Sequence, residues 1–476
     1  MAMKEGDDDV VVVMVPFPAQ GHLNPLLDLS RVVSSYNLPI YYACYSDKIK
    51  QVKRRVYGWD PVTIPNLHFK EFSNSPPYHD HDHDQNESNF VLPVLDEALM
   101  LREPVGAFLL EVAKRTRRMV VIYDALMACV VQSIVSIQNA EAYCFNPSSA
   151  FFVCSIFWEA ALKRLHLPAF VGRFAGRLLL PNGYEFPSDP LPSRESTFML
   201  EFLDFIGMQY RHNNFSSGNL YVTCKVVEGP YLDVLAKFNR LLRRGNKQWA
   251  VGPLYPVATI NDDDQNNINR HECLKWLDKQ EPNSVILVSF GTTSCLSTEQ
   301  IKELAIGLER SQQKFIWVVR DASLREDEQV QLPQGYEERV EGRGIVVREW
   351  APQLDILGHS AMGGFLSHCG WNSVLESIAM GVPLATWPML FDHPRNAVVV
   401  TKVLKIGITV KDWERRDELI TFTTIETSLR KLMESLEGKE ARKRVIELSE
   451  RVRQYMMDGG DLKMEMNSFI AHITRS

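Results

Sequence analysis

Continuous apolar runs along this chain alternate with stretches in which apolar positions recur three and four residues apart. Val10 to Val15 is an unbroken, Val-rich run, as expected of a strand covered on both faces. A loop, Pro16 to Pro25, separates it from an amphipathic helix predicted over Leu26 to Val33. Met119 to Tyr123 repeats the strand pattern and ends at Asp124. Val251 to Pro256 and an Asn/Asp-rich stretch, Asn261 to Asn269, read as a crossover that closes at Glu281-Pro282. Alternation then resumes, with strands predicted at 284–290, 315–320 and 344–348 and a helix near 298–311. A further strand, Gly363 to Ser367, turns at Cys369-Gly370 into a helix from Trp371 to about Met380. Gly381 and Pro383 end that helix, and a strand follows at Leu384 to Trp387. Met466, Phe469, Ile470 and Ile473 form one apolar stripe on a last helix. The pattern predicts an α/β protein with parallel sheets and helices on both faces. Its expected division is a first domain over 1–250, a linker over 251–283 and a second domain over 284–460.

Composition narrows the function classes. With 476 residues, 45% hydrophobic and 23% charged, the chain can bury two large cores. A net charge of −7 argues against nucleic acid or an anionic membrane as a partner. No run reaches the ~20 apolar residues of a membrane span. The acidic start, Met1 to Val10, does not read as a signal peptide. Eight Cys without a C-x-x-C pair suit reduced thiols, so a cytoplasmic protein is expected; the expected state is a monomer. Two tracts invite a metal reading, His79 to Asp84 and Asp262-Asp263-Asp264. Both lie in polar stretches with no folded ligand frame, so neither a metal site nor a cofactor is expected.

The chemistry concentrates between Trp350 and His393. Trp350 follows the apolar run Gly344 to Val347, read as a buried strand, where its face can stack on a base. Pro352 suits the start of a short helix, and the amide of Gln353 suits a uracil edge. The strand ending at His368 and the helix opened by Trp371-Asn372-Ser373 create an anion site from backbone N–H groups and the helix dipole. His368, Gly370, Asn372 and Ser373 would surround a pyrophosphate there. Glu376, one turn beyond Asn372, can accept from ribose hydroxyls. Asp392 and His393 occupy the next loop, within reach of a sugar on the second phosphate. Each residue alone also fits an ordinary strand–helix–strand unit; the ordered set does not.

In the first half, His22 falls in the loop after the first strand, and Asp124 ends another strand of the same parallel sheet. Ligands bind at such edges. An Asp bonded to one imidazole nitrogen fixes the tautomer, leaving the other to take a proton from a hydroxyl. Gly291-Thr292 ends a third strand in a turn that can approach a phosphate. The loop after the first strand lacks G-x-G-x-x-G, which disfavours a nicotinamide-dependent oxidoreductase or epimerase. A nucleotide-sugar-binding protein without transfer would keep the second-half residues and dispense with the His–Asp pair.

The segment Trp350–His393 resembles the signature box of plant secondary-product glycosyltransferases, the plant branch of the UDP-glycosyltransferases, and the resemblance extends over nearly the whole chain. It implies two facing Rossmann-like domains with a UDP-sugar and a small-molecule acceptor in the cleft between them, and a last helix, about 461–476, returning to the first domain. It assigns uracil to Trp350 and Gln353, ribose to Glu376, and the phosphates to His368, Asn372, Ser373 and Thr292. Trp371, Asp392 and His393 are assigned to the sugar, and His22 with Asp124 to an inverting catalytic dyad. The family usually carries Gln where His393 stands, a position linked to glucose or galactose. Trp371, standing where a glucuronate site would offer Arg, disfavours glucuronate. Leu101 to Val105, Val227 to Tyr231 and Trp276 to Gln280 look like the zeatin O-glucosyltransferase subgroup. The expected acceptor is thus a small lipophilic metabolite such as a zeatin-type cytokinin, with flavonoid, phenolic or terpenoid acceptors and a C-linkage open. Phe151, Phe152, Phe198, Phe202, Phe205 and Met208 are candidates for its apolar wall.

Overall fold

A computed structural model describes residues 8–56, 58–73, 88–164, 191–241, 247–255, 271–292, 296–319, 330–457 and 459–475. The chain forms two compact units. One comprises Met1–Cys154, Met199–Pro256 and Tyr455–Ser476; the other comprises Ser155–Phe198 and Val257–Gln454. The tracts His79 to Asp84 and Asp262 to Asp264 lie outside the described residues.

The first unit holds β1 (Asp8–Val15), β2 (Ile40–Tyr45), β3 (Leu67–Phe72), β4 (Thr116–Asp124), β5 (Ala140–Asn146), β6 (Ser216–Tyr221) and β7 (Lys247–Ala250). They form one sheet in the order β3-β2-β1-β4-β5-β6-β7, every pair parallel. Central β1 is buried along Val10 to Val15, as its unbroken Val run requires. Strand order reverses between β1 and β4, whose register pairs Val15 with Tyr123 and so sets both C-terminal ends side by side. The helix after β1 begins earlier than its pattern suggests. It spans Gln20–Ser34 with Pro25 inside it, so His22 sits in a first helical turn and not in a loop. Pro25 reads as a helix start, but a Pro near the N-terminus removes only one early backbone bond, and the helix extends ahead of it. In the last helix, Asp461–Ile473, the stripe Met466, Phe469, Ile470 and Ile473 is buried. Phe469 lies 5.1 Å from the ring of Trp249 on β7 and 5.4 Å from Tyr143 on β5.

The second unit holds β8 (Val285–Ser289), β9 (Lys314–Val318), β10 (Gly344–Val347), β11 (Met362–Ser367), β12 (Leu384–Thr386) and β13 (Gly407–Thr409). Their order, β10-β9-β8-β11-β12-β13, is again all parallel and reverses between β8 and β11. β10, expected to be buried, is an edge strand: with β9 as its sole partner among the described strands, all four residues are only half-buried. Trp317, Phe315, Trp387 and Leu366 fill the core beside the sheet. Among the described residues no helix is long and apolar enough to cross a membrane.

Candidate active site

Each unit presents a histidine at the point where its strand order reverses, the place at which open parallel sheets bind ligands. In the first unit, His22 Nδ1 lies 2.8 Å from Asp124 Oδ2. The other carboxylate oxygen accepts the Leu126 N–H at 2.9 Å, capping the short turn Ala125–Met127. Asp124 is fully buried, while the His22 side chain keeps 25% exposure. A carboxylate can only accept here, so the ring proton resides on Nδ1 and Nε2 keeps its lone pair. Phe17 packs edge-on against the His22 ring at 5.1 Å and meets Phe205 at 6.1 Å, and Phe205 stacks on Phe202. Beside His22, Gln20 donates to Asn24 Oδ1 and receives bonds from Gln51 and Arg55. The partners of this network come from two segments, the helix that holds Gln20 and the stretch 51–55, and no local motif in the sequence announces it.

The aromatic candidates divide. Phe202 and Phe205 join Phe17, whereas Phe151 is a core residue against Tyr231 at 5.1 Å, and Phe198 packs in the second unit against Phe391. Phe152 and Met208 are half-buried. The helix Ala150–Arg164 is capped by buried Glu228, which accepts the N–H groups of Ala150 and Phe151 at 2.8 Å each. Burial pushes that carboxyl up to about 7, against the pull of these two bonds. The segment Val227 to Tyr231, a marker of kinship in the sequence, thus contains a helix cap.

In the second unit the helix Gln353–Gly358 follows Trp350, which is 38% exposed and free to present a face. Pro352 precedes the helix as its cap rather than lying within it. Gln353 Nε2 donates to Ser373 Oγ at 2.9 Å and to Glu376 Oε2 at 2.6 Å. Those two partners belong to the helix Trp371–Met380, which starts at Gly370. His368, just past β11, is wedged between two glycines. A Cβ on Gly291 would come within 2.7 Å of its Nε2, and one on Gly370 within 2.5 Å. Burial holds this imidazole down at about 4, although the Ser289 backbone pulls the other way, and among the described residues no partner of full hydrogen-bond geometry reaches its Nδ1. His393 stands edge-on to it at 4.7 Å. Burial first, and His368 second, keep His393 well below the ordinary histidine range. The Leu390 N–H donates to His393 Nδ1 at 3.2 Å, which assigns the ring proton of the neutral form to Nε2.

Asn396, fully buried, binds both Asp392 Oδ2 and Cys369 O at 2.9 Å and so fastens the two loops together. Each of those loops has a non-glycine residue at positive φ, Cys369 at 69° and Phe391 at 57°. Such strain is sustained only where surrounding structure fixes it. Asn372, Gly370 and Asp392 are half-buried, Ser373 is buried, and Thr292 is exposed one residue after Gly291. The Trp371 indole is buried, like the side chains of His368, Ser373 and His393.

Comparison with known proteins identifies the family. Residues 8–256 match the glycosyltransferase N-terminal domain family, and residues 198–452 match the family described as UDP-glucoronosyl and UDP-glucosyl transferase. The chain is 44% identical to a zeatin O-xylosyltransferase of Phaseolus vulgaris over 100% of both chains. It is 45% identical to a zeatin O-glucosyltransferase of Phaseolus lunatus, covering 98% of this chain and 97% of that one. The structure of Phytolacca americana UGT2 complexed with UDP-2fluoro-glucose and pterostilbene superposes with a TM-score of 0.76, at 24% identity, covering 98% of this chain and 100% of that chain. Two parallel-sheet Rossmann-like units, a family match over more than half of the chain and relatives matched end to end place this chain in the UDP-glycosyltransferase family.

Proposed function

We propose that this glycosyltransferase moves a hexose, glucose foremost, from a UDP-sugar to a hydroxyl of a zeatin-type or similarly small lipophilic acceptor, with inversion. The observation that carries the mechanism is the His22–Asp124 bond at the switch point of the first sheet. His22 Nε2 takes the hydroxyl proton as the acceptor oxygen bonds to the anomeric carbon. The bond from that carbon to the β-phosphate oxygen breaks, and UDP leaves with the electron pair. Asp124 holds the ring and stabilises the imidazolium that forms.

Donor roles follow from the second unit. Trp350 stacks on uracil, which is worth ~1–3 kcal/mol. Gln353 meets its edge and Glu376 the ribose. His368, Asn372, Ser373, Thr292 and the main chain at Gly370-Trp371 take the diphosphate. Neutral His393 offers Nε2–H to a sugar hydroxyl, and Asp392 accepts from another. The two bean relatives are named for xylose and glucose at nearly equal identity, so overall likeness does not select the sugar. Galactose also fits a donor group at His393.

A product assay by mass spectrometry tests this reading. Purified protein meets trans-zeatin and a flavonoid, each with UDP-glucose, UDP-xylose and UDP-galactose, with and without EDTA. A zeatin hexoside from UDP-glucose, undiminished by EDTA, is expected. Product on the flavonoid alone overturns the acceptor; preference for another sugar overturns the donor; no product at all overturns transfer.

A further inference from the structure

Resting on the donor-side reading above, we infer that Arg395 is a positioning residue for the donor sugar, acting through the loop that carries Asp392 and His393. Arg395 is 1% exposed. Its Nε donates to Pro192 O at 3.1 Å, its Nη1 to Ser155 Oγ at 2.7 Å, and its Nη2 to Glu159 Oε2 at 2.5 Å and Pro192 O at 2.8 Å. Every one of these partners lies in the segment Ser155–Phe198, which the second unit takes from the first half of the sequence. The same segment holds the loop at its other end. The Phe391 N–H donates to Thr197 O at 3.1 Å, and the Phe391 ring lies 6.1 Å from Phe198.

The residues between these two anchorages include Asp392 and His393. A ring-to-ring path leads to His393, Phe198 to Phe391 at 6.1 Å and Phe391 to His393 at 6.3 Å. Phe391 holds a left-handed backbone at φ 57°, a conformation that depends on outside support. A buried ion pair adds little net stability compared with apolar side chains of equal volume. What a guanidinium supplies is direction, because its fork fixes the partners it reaches. Trp350, Gln353 and Glu376, proposed to hold the nucleoside, lie on other segments, where Gln353 bonds to Ser373 and to Glu376. Loss of Arg395 therefore acts on the sugar and spares the nucleoside.

The test compares binding of UDP and of UDP-glucose by calorimetry, on the full chain, for the parent, Arg395→Met and Glu159→Gln. The expected result for Arg395→Met is UDP affinity within about twofold of the parent and UDP-glucose affinity lower by about tenfold, the size of one lost directed contact. Preference for UDP-glucose over UDP-xylose narrows, the KM of the acceptor holds, and Glu159→Gln shifts in the same direction by less. Equal weakening toward UDP and UDP-glucose, or none toward either, overturns the inference. Should the methionine variant fail to fold, Arg395→Lys keeps a buried cation without the fork and carries the same two outcomes. His393→Ala in the parent separates the two readings: if it leaves UDP-glucose binding unchanged, the donor-side assignment itself fails.

Discussion

His22 and His368 both lie where a sheet reverses, His22 in the helical turn that follows β1 and His368 directly after β11, and the two surroundings give them opposite characters. His22 has a buried carboxylate at 2.8 Å and a quarter of its side chain open, so a positive ring is stabilised where a proton can arrive. Among the described residues His368 has no carboxylate beside it; it is pressed between Gly291 and Gly370 and kept neutral by burial. One arrangement suits a base that gains charge during reaction; the other suits a fixed dipole beside a helix start. The neighbourhood, not the residue or its place in the fold, sets the chemistry.

The largest effect should come from removing the charge-gaining member. His22→Ala is expected to lower kcat by about 10²–10⁴, with UDP binding by calorimetry within about twofold. Asp124→Asn should cost less, because the ring stays in place while its imidazolium loses support. Equal loss of UDP affinity in His22→Ala would sink the assignment of a base. A smaller effect is expected from Gly370→Ala. Gly370 has φ −58°, ψ 139°, which alanine tolerates, so the substitution isolates the contact with His368. UDP affinity should fall by about tenfold, and kcat at saturating donor should change far less. A reversed pattern, kcat lost and UDP binding kept, would mean that His368 takes part in the chemistry.

The smallest effect is a slope. His368 is held at about 4 against an ordinary value of 6.5. Between those values the unfolded chain binds a proton that the folded chain refuses. Its contribution is therefore complete above about pH 6.5 and is lost as pH falls toward 4, by at most about 1.4 kcal/mol per pH unit. Urea midpoints at pH 7.5, 6 and 5 should drop less steeply in His368→Asn than in the parent; parallel lines would show that His368 is not held neutral.

Much of this was legible in the sequence where cause and effect lie close along the chain. The Val run of β1, the Gly-Pro stop after Met380 and the stripe on the last helix each declare a local structure. The helix at Gln20 was obscured because Pro25 supplies a start signal that its neighbours override. β10 looked buried because four apolar residues do not reveal how many strands flank them. Arg395 and Asn396 escaped for another reason. Their partners lie far away, Glu159 by 236 positions and Cys369 by 27, and nothing local distinguishes such a guanidinium from an exposed one. The apolar run after it, Ala397 to Val400, was the one available hint that it sits inside.

The interleaved make-up of the two units bears on how such enzymes can be recombined. A gene fusion that exchanges sequence halves at the crossover near residue 256 does not exchange units. It separates Glu159, Ser155 and Pro192 from Arg395, and the last twenty-two residues, Tyr455–Ser476, from the sheet they cover. A chimera that transplants donor preference intact must carry 155–198 along with the second half and leave the terminal helix with the first.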